Sequence, residues 1–254
     1  MASVTDISIV IPCYNECSRL PVAEYSSFTA NNPTVLLCFV NDGSTDSTLE
    51  LLQHLKTNHP ETIDIVSYKK NRGKAEATRR GIRYCTQMYK HSCIAYLDAD
   101  LSTSLQECLK LSGCMKGNIE FCFGSRFLRV GSVIERKMSR FLIGRVIATC
   151  ISTMLDLKVY DTQCGCKIFT RSIAADLFEE PFVSTWLFDV ELIFRFLAKD
   201  KREIMIKKML EIPLTSWIDR GKSKVGYAYA FKIWLDFYRI QKHYKKKGNS
   251  FFRT

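Results

Sequence analysis

The chain lacks several features that would place it quickly. No run of about 18 or more uncharged apolar residues occurs, so no membrane-spanning helix is expected. The opening Met1 to Asp6 has no charged n-region and leads directly into a strand pattern, so no signal peptide is expected. No internal repeat and no low-complexity linker is present, which excludes a solenoid or a string of tethered modules. Cys164 and Cys166 stand one residue apart with no His or second Cys pair nearby, so a zinc site is not expected.

What is present points to a cored α/β protein with an anionic partner. The 254 residues are 46% hydrophobic, long for one domain and short for two. The eleven cysteines lie within apolar runs, as Cys38, Cys93, Cys122 and Cys150 do, without regular spacing. That usage suits free thiols serving as small core residues in a reducing compartment, and a cytoplasmic location is expected. A net charge of +11 implies a nucleic acid, a phospholipid surface or a phosphorylated substrate.

The first half alternates strand-like and helix-like stretches. Strands are expected at Ile7–Ile11, Val35–Val40, Ile63–Tyr68, Cys93–Leu97 and Ile119–Phe123. Helices are expected at Glu16–Ala30, Ser44–Asn58, Lys74–Tyr89 and Ser104–Met115. Continuous apolar strands separated by helices predict a mostly parallel sheet covered on both faces, with ligands at the carboxyl ends of its strands. Further on, Met138–Leu155 and Phe188–Leu197 read as helices and Ile204–Ile212 as a strand ended by Pro213. From Tyr227 an aromatic stretch leads to the basic run Lys242–Lys247.

Each informative cluster follows a strand. After the first, Pro12, Tyr14 and Glu16 could form a base-stacking lip with a carboxylate, or a simple turn capped by Asn15. After the second, Gly43 permits a tight turn and Ser44 or Thr45 can cap the next helix. Asp42 there either accepts from a base N–H or a ribose hydroxyl, or shapes the loop as an Asx-turn. After the third, Lys69-Lys70-Asn71-Arg72-Gly73-Lys74 sets cations against a helix N-terminus. An anion bridging Lys74 and the exposed amides would account for that, as would a solvated basic loop. After the fourth, Asp98-Ala99-Asp100 puts two carboxylates on one side of a strand end. Read as more than a turn and cap, the pair implies a hard cation, Mg²⁺ or Mn²⁺, sharing oxygen ligands with a diphosphate.

Taken in order, Ile11-Pro12-Cys13-Tyr14-Asn15-Glu16, Asn41-Asp42-Gly43-Ser44-Thr45-Asp46, Asn71-Arg72-Gly73-Lys74 and Asp98-Ala99-Asp100 resemble the motifs of family 2 glycosyltransferases. The resemblance implies a Rossmann-like GT-A fold with C-terminal amphipathic helices. It divides the chain into a catalytic domain at 1–224 and a basic amphipathic helix and tail at 225–254. The stretch Asp161 to Arg171, then Trp186 to Leu192, and Gly221-Lys222-Ser223-Lys224 after Trp217, resemble the dolichyl-phosphate β-glucosyltransferases; mannose synthases match less well there. This implies inverting transfer, with glucose and a UDP-sugar favoured over a GDP-sugar, onto a polyprenyl or dolichyl phosphate. By the same resemblance Pro12, Tyr14, Glu16 and Asp42 bind the nucleoside, and Lys74 and Asp98 the ribose-diphosphate region. Asp100 ligates the metal, with Asp98 beside it. Arg126, Arg136 and Ser139 face the acceptor phosphate, and Arg220 and Lys224 close over the diphosphate. Asp100, Asp161 and Arg126 form the catalytic set, while Asp161, Asp189 and Glu191 orient sugar hydroxyls or arginines, or are buried structural carboxylates.

Two departures stand out. Where the mannose synthases place a metal-binding glutamine this chain has Ser102, which leaves that position to water or phosphate. The eukaryotic glucosyltransferases also carry a spanning segment with no counterpart in these residues. Contact with a membrane surface would then fall to Met138–Leu155 and Tyr227–Lys247, read either as basic interfacial helices or as helices packed on the sheet. A soluble enzyme acting on a glycan, protein or small molecule is the alternative. Nucleic acid is not an expected partner, because a metal-free Asp98–Asp100 site repels a phosphate backbone.

Overall fold

A computed structural model describes residues 6–135, 138–220 and 228–246. Its first half runs β1 (Ile7–Cys13), α1 (Val22–Asn31), β2 (Val35–Asp42), α2 (Thr48–Asn58), β3 (Ile63–Tyr68), α3 (Lys74–Met88), β4 (Cys93–Leu97), α4 (Leu105–Ser112) and β5 (Phe121–Ser125). There follow β6 (Val133–Glu135), α5 (Met138–Met154), β7 (Cys166–Thr170), α6 (Arg171–Leu177), α7 (Phe188–Leu197), α8 (Arg202–Lys207), β8 (Met209–Pro213), β9 (Ser216–Ile218) and α9 (Ala228–Lys246). Seven strands form one sheet in the order β3-β2-β1-β4-β7-β5-β8, and β6 pairs with β9 in a small second sheet. Every neighbouring pair in the large sheet is parallel except the two that involve β7.

Burial explains why the central strands read as unbroken apolar runs. All eight residues of β2 are buried, and alternate side chains enter opposite layers. Leu37 and Phe39 pack toward α1, α2 and α4, with Tyr25, Leu52 and Leu105. Cys38 and Val40 pack toward α3, α5, α7 and α9, with Ile82, Ile151, Phe194 and Phe237. All eleven cysteines are unbridged, eight of them buried. Among the described residues no helix is long and apolar enough to cross a membrane.

Several expected boundaries shift for local reasons. The first helix starts at Val22 rather than Glu16, because residues 15–17 are held by the loop after β2, and Pro21 precedes the helix. Asn15 therefore caps nothing. It adopts a positive φ of 54° and accepts from Thr45 N–H at 2.8 Å. Neither Ser44 nor Thr45 caps α2; Asp46 accepts from Thr48 N–H at 3.0 Å instead. The expected strand at Ile204–Ile212 is a turn of helix, α8, followed by β8. Its alternating Ile204 and Ile206 imitate a strand face, yet both are exposed and Met205 is the residue that packs. The short strands β6 and β9 and helix α6 carry no periodic signal long enough to read.

The C-terminal helix shares the main core. Ile233, Phe237, Ile240 and Tyr244 of α9 are buried in the layer that holds α7. Glu191 of α7 is fully buried and accepts from Val183 N–H at 2.9 Å, Arg195 Nη2 at 2.8 Å and Tyr244 Oη at 2.7 Å. Tyr244 Oη in turn accepts from Arg195 Nε at 2.7 Å. Glu191 is thus a structural carboxylate that ties α9 to α7. Removing the hydroxyl leaves both partners short of a bond, so Tyr244→Phe is expected to cost about 1–3 kcal/mol in urea unfolding. Asp64 on β3 offers a pH test. Burial works against its charge, but Lys56 at 2.6 Å and the hydroxyls of Tyr84 and Tyr89 at 2.7 Å outweigh it and lower its pKa to about 2. A carboxylate depressed on folding stabilises above its unfolded pKa, roughly 4, and loses that contribution as pH falls toward the folded value. The stability gap between wild type and Asp64→Asn, followed by urea titration, should therefore shrink from about pH 4 downward.

Candidate active site

The carboxyl ends of β1, β2 and β4 lie side by side, and the loops that leave them lock together. Gly43 follows β2 with a φ of +71°, and a Cβ there would stand 2.7 Å from Asn71 N and Lys70 C. Only glycine lets this loop lie against the loop after β3. Asp42, next to it, accepts from Arg72 N–H at 3.0 Å and Gly73 N–H at 2.8 Å. Burial pushes the Asp42 carboxyl up, against the pull of those two N–H groups. Its role in shaping the loop is thus on display. Pro12 lies near the end of β1 opposite Val40, Tyr14 is half-buried beyond the strand, and Glu16 forms an ion pair with Arg19.

Asp98 and Asp100 follow β4 within a tight turn. Leu101 N–H donates to Asp98 O at 3.2 Å, Ser102 N–H donates to Asp100 Oδ1 at 2.9 Å, and Leu101 takes a positive φ of 52°. The buried Tyr25 hydroxyl on α1 fixes the turn from below, donating to Ala99 O at 3.0 Å. Lys74, at the start of α3, reaches across and pairs with Asp98. Burial disfavours the Lys74 ammonium, but Asp98 and Asp189 outweigh it and raise its pKa.

β7 completes the site because it runs against its neighbours. Its amino end therefore lies beside the carboxyl ends of β4 and β5, which delivers residues 161–165 to the same edge as Asp98. Asp98 N–H donates to Gly165 O at 3.2 Å. A Cβ on Gly165 would fall 2.1 Å from Asp98 Oδ2. Beyond β5, Arg126 and Asp161 form a two-pronged pair, Nε to Oδ2 at 2.6 Å and Nη2 to Oδ1 at 2.9 Å. Burial opposes both charges; each partner outweighs that for the other, holding Asp161 well below the usual carboxylate range and Arg126 above its own. Glu211 of β8 orients this carboxylate's backbone, accepting from Tyr160 and Asp161 N–H at 2.9 and 2.8 Å. Trp217 lies 5.3 Å from the Arg126 guanidinium.

Asp189 is a partner of the sheet. The fully buried Lys167 of β7 donates to it at 2.6 Å, and Tyr96 hydrogen-bonds it as well. Arg220 pairs with Glu24 on α1. Arg136 and Lys224 lie outside the described residues, as do the expected 224/225 boundary and the side chain of Ser139.

The donor set suits a hard divalent cation. Asp98 and Asp100 offer only oxygen, and among the described residues no cluster of three or more His, Cys, Asp or Glu side chains could enclose an ion. Two carboxylates leave most of a coordination shell to phosphate and water, the arrangement Mg²⁺ commonly takes with phosphate substrates.

The sequence pattern of glycosyl transferase family 2 matches residues 8–178. The chain is 30% identical to the Homo sapiens dolichyl-phosphate β-glucosyltransferase, spanning 85% of this chain and 72% of that one. It is 27% identical to the Dictyostelium discoideum protein of the same name, spanning 94% and 74%. Among solved structures, the Mycobacterium tuberculosis glucosyl-3-phosphoglycerate synthase, in complex with Mn²⁺, UDP-glucose and phosphoglyceric acid, superposes with a TM-score of 0.66 at 15% identity, spanning 93% of this chain and 80% of that one. Mannosyl-3-phosphoglycerate synthase from Rubrobacter xylanophilus gives 0.68 at 14%, spanning 96% and 75%. The fold they share with this chain is GT-A.

Gly165 and Lys167 fall within the Asp161–Arg171 stretch but carry no role there, and Tyr25 and Glu211 lie outside every motif. Lys167 alone left a trace, a charge inside an otherwise apolar strand that demands a buried carboxylate. Gly165→Ala is expected to cost about 1–3 kcal/mol in urea unfolding, as overpacking does. A crystal structure of the variant should show the Asp98 carboxylate displaced from Lys74; an unmoved carboxylate would count against the close-approach constraint.

Proposed function

Because this chain belongs to glycosyl transferase family 2, we propose that it moves glucose from UDP-glucose to a dolichyl or other polyprenyl phosphate, with inversion at the anomeric carbon. The observation that carries the reading is the meeting, at one strand edge, of a carboxylate pair suited to a metal diphosphate and an arginine-lined cleft suited to an anionic acceptor. The names of the relatives support the lipid acceptor. The UDP-glucose and Mn²⁺ found in the glucosyl-3-phosphoglycerate synthase support the donor and the cation.

Pro12, Tyr14, Glu16 and Asp42 border the nucleoside position, with the Asp42-bound loop supplying the rigid floor. Lys74, kept charged by its carboxylate neighbours, meets the diphosphate, and Arg220, two residues past β9 and paired with Glu24 of α1, closes over it. A Mg²⁺ or Mn²⁺ held by Asp100 and Asp98 would offset the charge that develops on the departing UDP. The acceptor phosphate is already anionic at neutral pH, so one of its oxygens attacks the anomeric carbon as the bond to UDP breaks, and no strong general base is required. Arg126, fixed by Asp161, orients that phosphate in line, which contributes through positioning and electrostatics. We place the enzyme at the cytoplasmic face of a membrane, where the exposed apolar sides of α5 and α9 meet lipid.

Incubation with labelled UDP-glucose, Mn²⁺ and dolichyl phosphate should give an organic-extractable labelled lipid. Asp100→Ala should lower that rate about a hundredfold or more with an unchanged melting temperature. Transfer to glycan or protein acceptors with none to any polyprenyl phosphate would overturn the lipid reading.

A further inference from the structure

Ser102 acts through its backbone. Its N–H donates to Asp100 Oδ1 at 2.9 Å, and its carbonyl accepts from Ile218 N–H at 3.0 Å. One residue thus joins the carboxylate turn after β4 to β9. The rest of β9 is tied down as firmly. Before it, Thr215 N–H donates to Glu107 Oε2 on α4 at 2.8 Å, and Leu214 N–H donates to Ser125 O at 2.9 Å. β6 holds its other edge, through Val133 N–H to Thr215 O at 2.9 Å and Asp219 N–H to Glu135 O at 3.2 Å. Beyond it, Arg220 pairs with Glu24 of α1. The strand is a strap from the Arg126 side of the site to the α1 side, fixed at α4, at the Asp100 turn and at α1.

Trp217 is the middle residue of this strap, and the Arg126 guanidinium lies over its ring at 5.3 Å. Asp161 takes one edge of that guanidinium, through Nε and Nη2. Two of its five N–H donors are then used, and three remain at the end of the fork for an anion. Among the described residues the guanidinium makes no other hydrogen bond. Two coplanar hydrogen bonds resist rotation within their plane. Tilt about the line joining them is soft, because such bonds tolerate a broad range of angles. The indole face opposes that tilt by occupying one side of the plane. Its own position is firm, since Glu107 is buried and its second oxygen accepts from Lys110 Nζ at 2.6 Å.

We propose that Trp217 is a positioning residue for Arg126, and that β9, seated by Glu107 and Ser102, sets the distance and tilt of this arginine relative to the Asp98–Asp100 pair. The inference rests on the reading above, in which Arg126 receives the acceptor phosphate. A phosphate oxygen must meet the anomeric carbon in line with the departing UDP, so an arginine free to tilt still binds the phosphate but presents it off line. Hydrolysis needs no such guidance: water attacks the same carbon, the bond to UDP breaks, and glucose, UDP and a proton are released. The strap therefore favours transfer to phosphate over hydrolysis of the donor, and Glu107 contributes to that choice from the buried face of α4.

Steady-state assays of the full chain with UDP-glucose and Mn²⁺ can follow transfer to farnesyl phosphate and hydrolysis to free glucose together. Trp217→Leu should lower the transfer-to-hydrolysis ratio about tenfold, chiefly through kcat for transfer, with the KM for UDP-glucose unchanged. Trp217→Phe should recover most of the ratio, because a smaller aromatic face still covers the guanidinium. Glu107→Leu should move the ratio in the same direction, about threefold. Glu107→Gln, whose amide oxygen still accepts from Thr215 N–H, should keep the wild-type ratio. Transfer and hydrolysis falling together at a constant ratio in Trp217→Leu overturns the inference in favour of a strand that only supports the fold. A raised KM for UDP-glucose with normal acceptor kinetics overturns it in favour of a direct donor contact. If wild type transfers glucose to no polyprenyl phosphate, the lipid reading falls, and crystal structures of Trp217→Leu and Glu107→Leu decide the strap separately. An Arg126 guanidinium displaced from its wild-type place supports it, and one unmoved in both variants overturns it.

Discussion

The close approach of Gly165 to the Asp98 carboxylate is the contact on which the site depends. Asp98 is pinned on three sides: its backbone N–H donates to Gly165 O, its carboxylate lies where a Gly165 side chain would be, and Lys74 pairs with it. This contact exists because β7 is antiparallel to β4, which brings a loop to an edge that a parallel strand would have reached only with its far end. Reversing one strand thus joins two halves of the chain. The donor-side loops come from residues before 101, and the Arg126–Asp161 cleft from those after 125.

That reversed strand carries a fully buried lysine through a sheet covered on both faces. Lys167 is stabilised by Asp189 from α7 and by the carbonyl of Cys164, which lies in the same loop as Gly165. Losing Asp189 would leave the buried Lys167 charge uncompensated, a cost of several kcal/mol. Asp189 also raises the pKa of Lys74, so α7 influences the donor edge without contributing a side chain to its surface. Glu191, two residues on, joins α7 to α9 through Tyr244 and Arg195. The carboxylates of one short helix therefore hold both the catalytic edge and the C-terminal helix.

The outer layer follows from the same packing. Helix α9 buries one face against α7 and leaves Trp234, Leu235 and Tyr238 exposed, while α5 buries Ile151 and leaves Leu142 and Val146 exposed. Both helices thus leave large apolar side chains exposed, next to Thr149 and Thr153 on α5 and to Arg239, Lys242 and His243 on α9. Their exposed apolar faces converge on a groove lined by Leu142, Val146, Ile233 and Trp234, whose shape is fixed by how two helices seat on the sheet.

The sequence by itself determined the strand–helix alternation, the parallel character of the first four strands, and the placing of Asp42, Lys74, Asp98 and Asp100 just beyond strand ends. These are local matters: apolar runs, turn residues and spacing all act within a dozen positions. It misplaced the starts of α1 and α2, because the residues between strand and helix bond to a loop some thirty positions away, through Asn15, Ser44 and Thr48. It could not show that Gly165 gives room to Asp98, or that Glu211 holds the Asp161 backbone. Those relations depend on the direction of β7 and on where α5 and α9 settle. Both are decided by which buried charges find partners and which apolar faces find each other across the whole chain, and no stretch of sequence read in isolation carries that information.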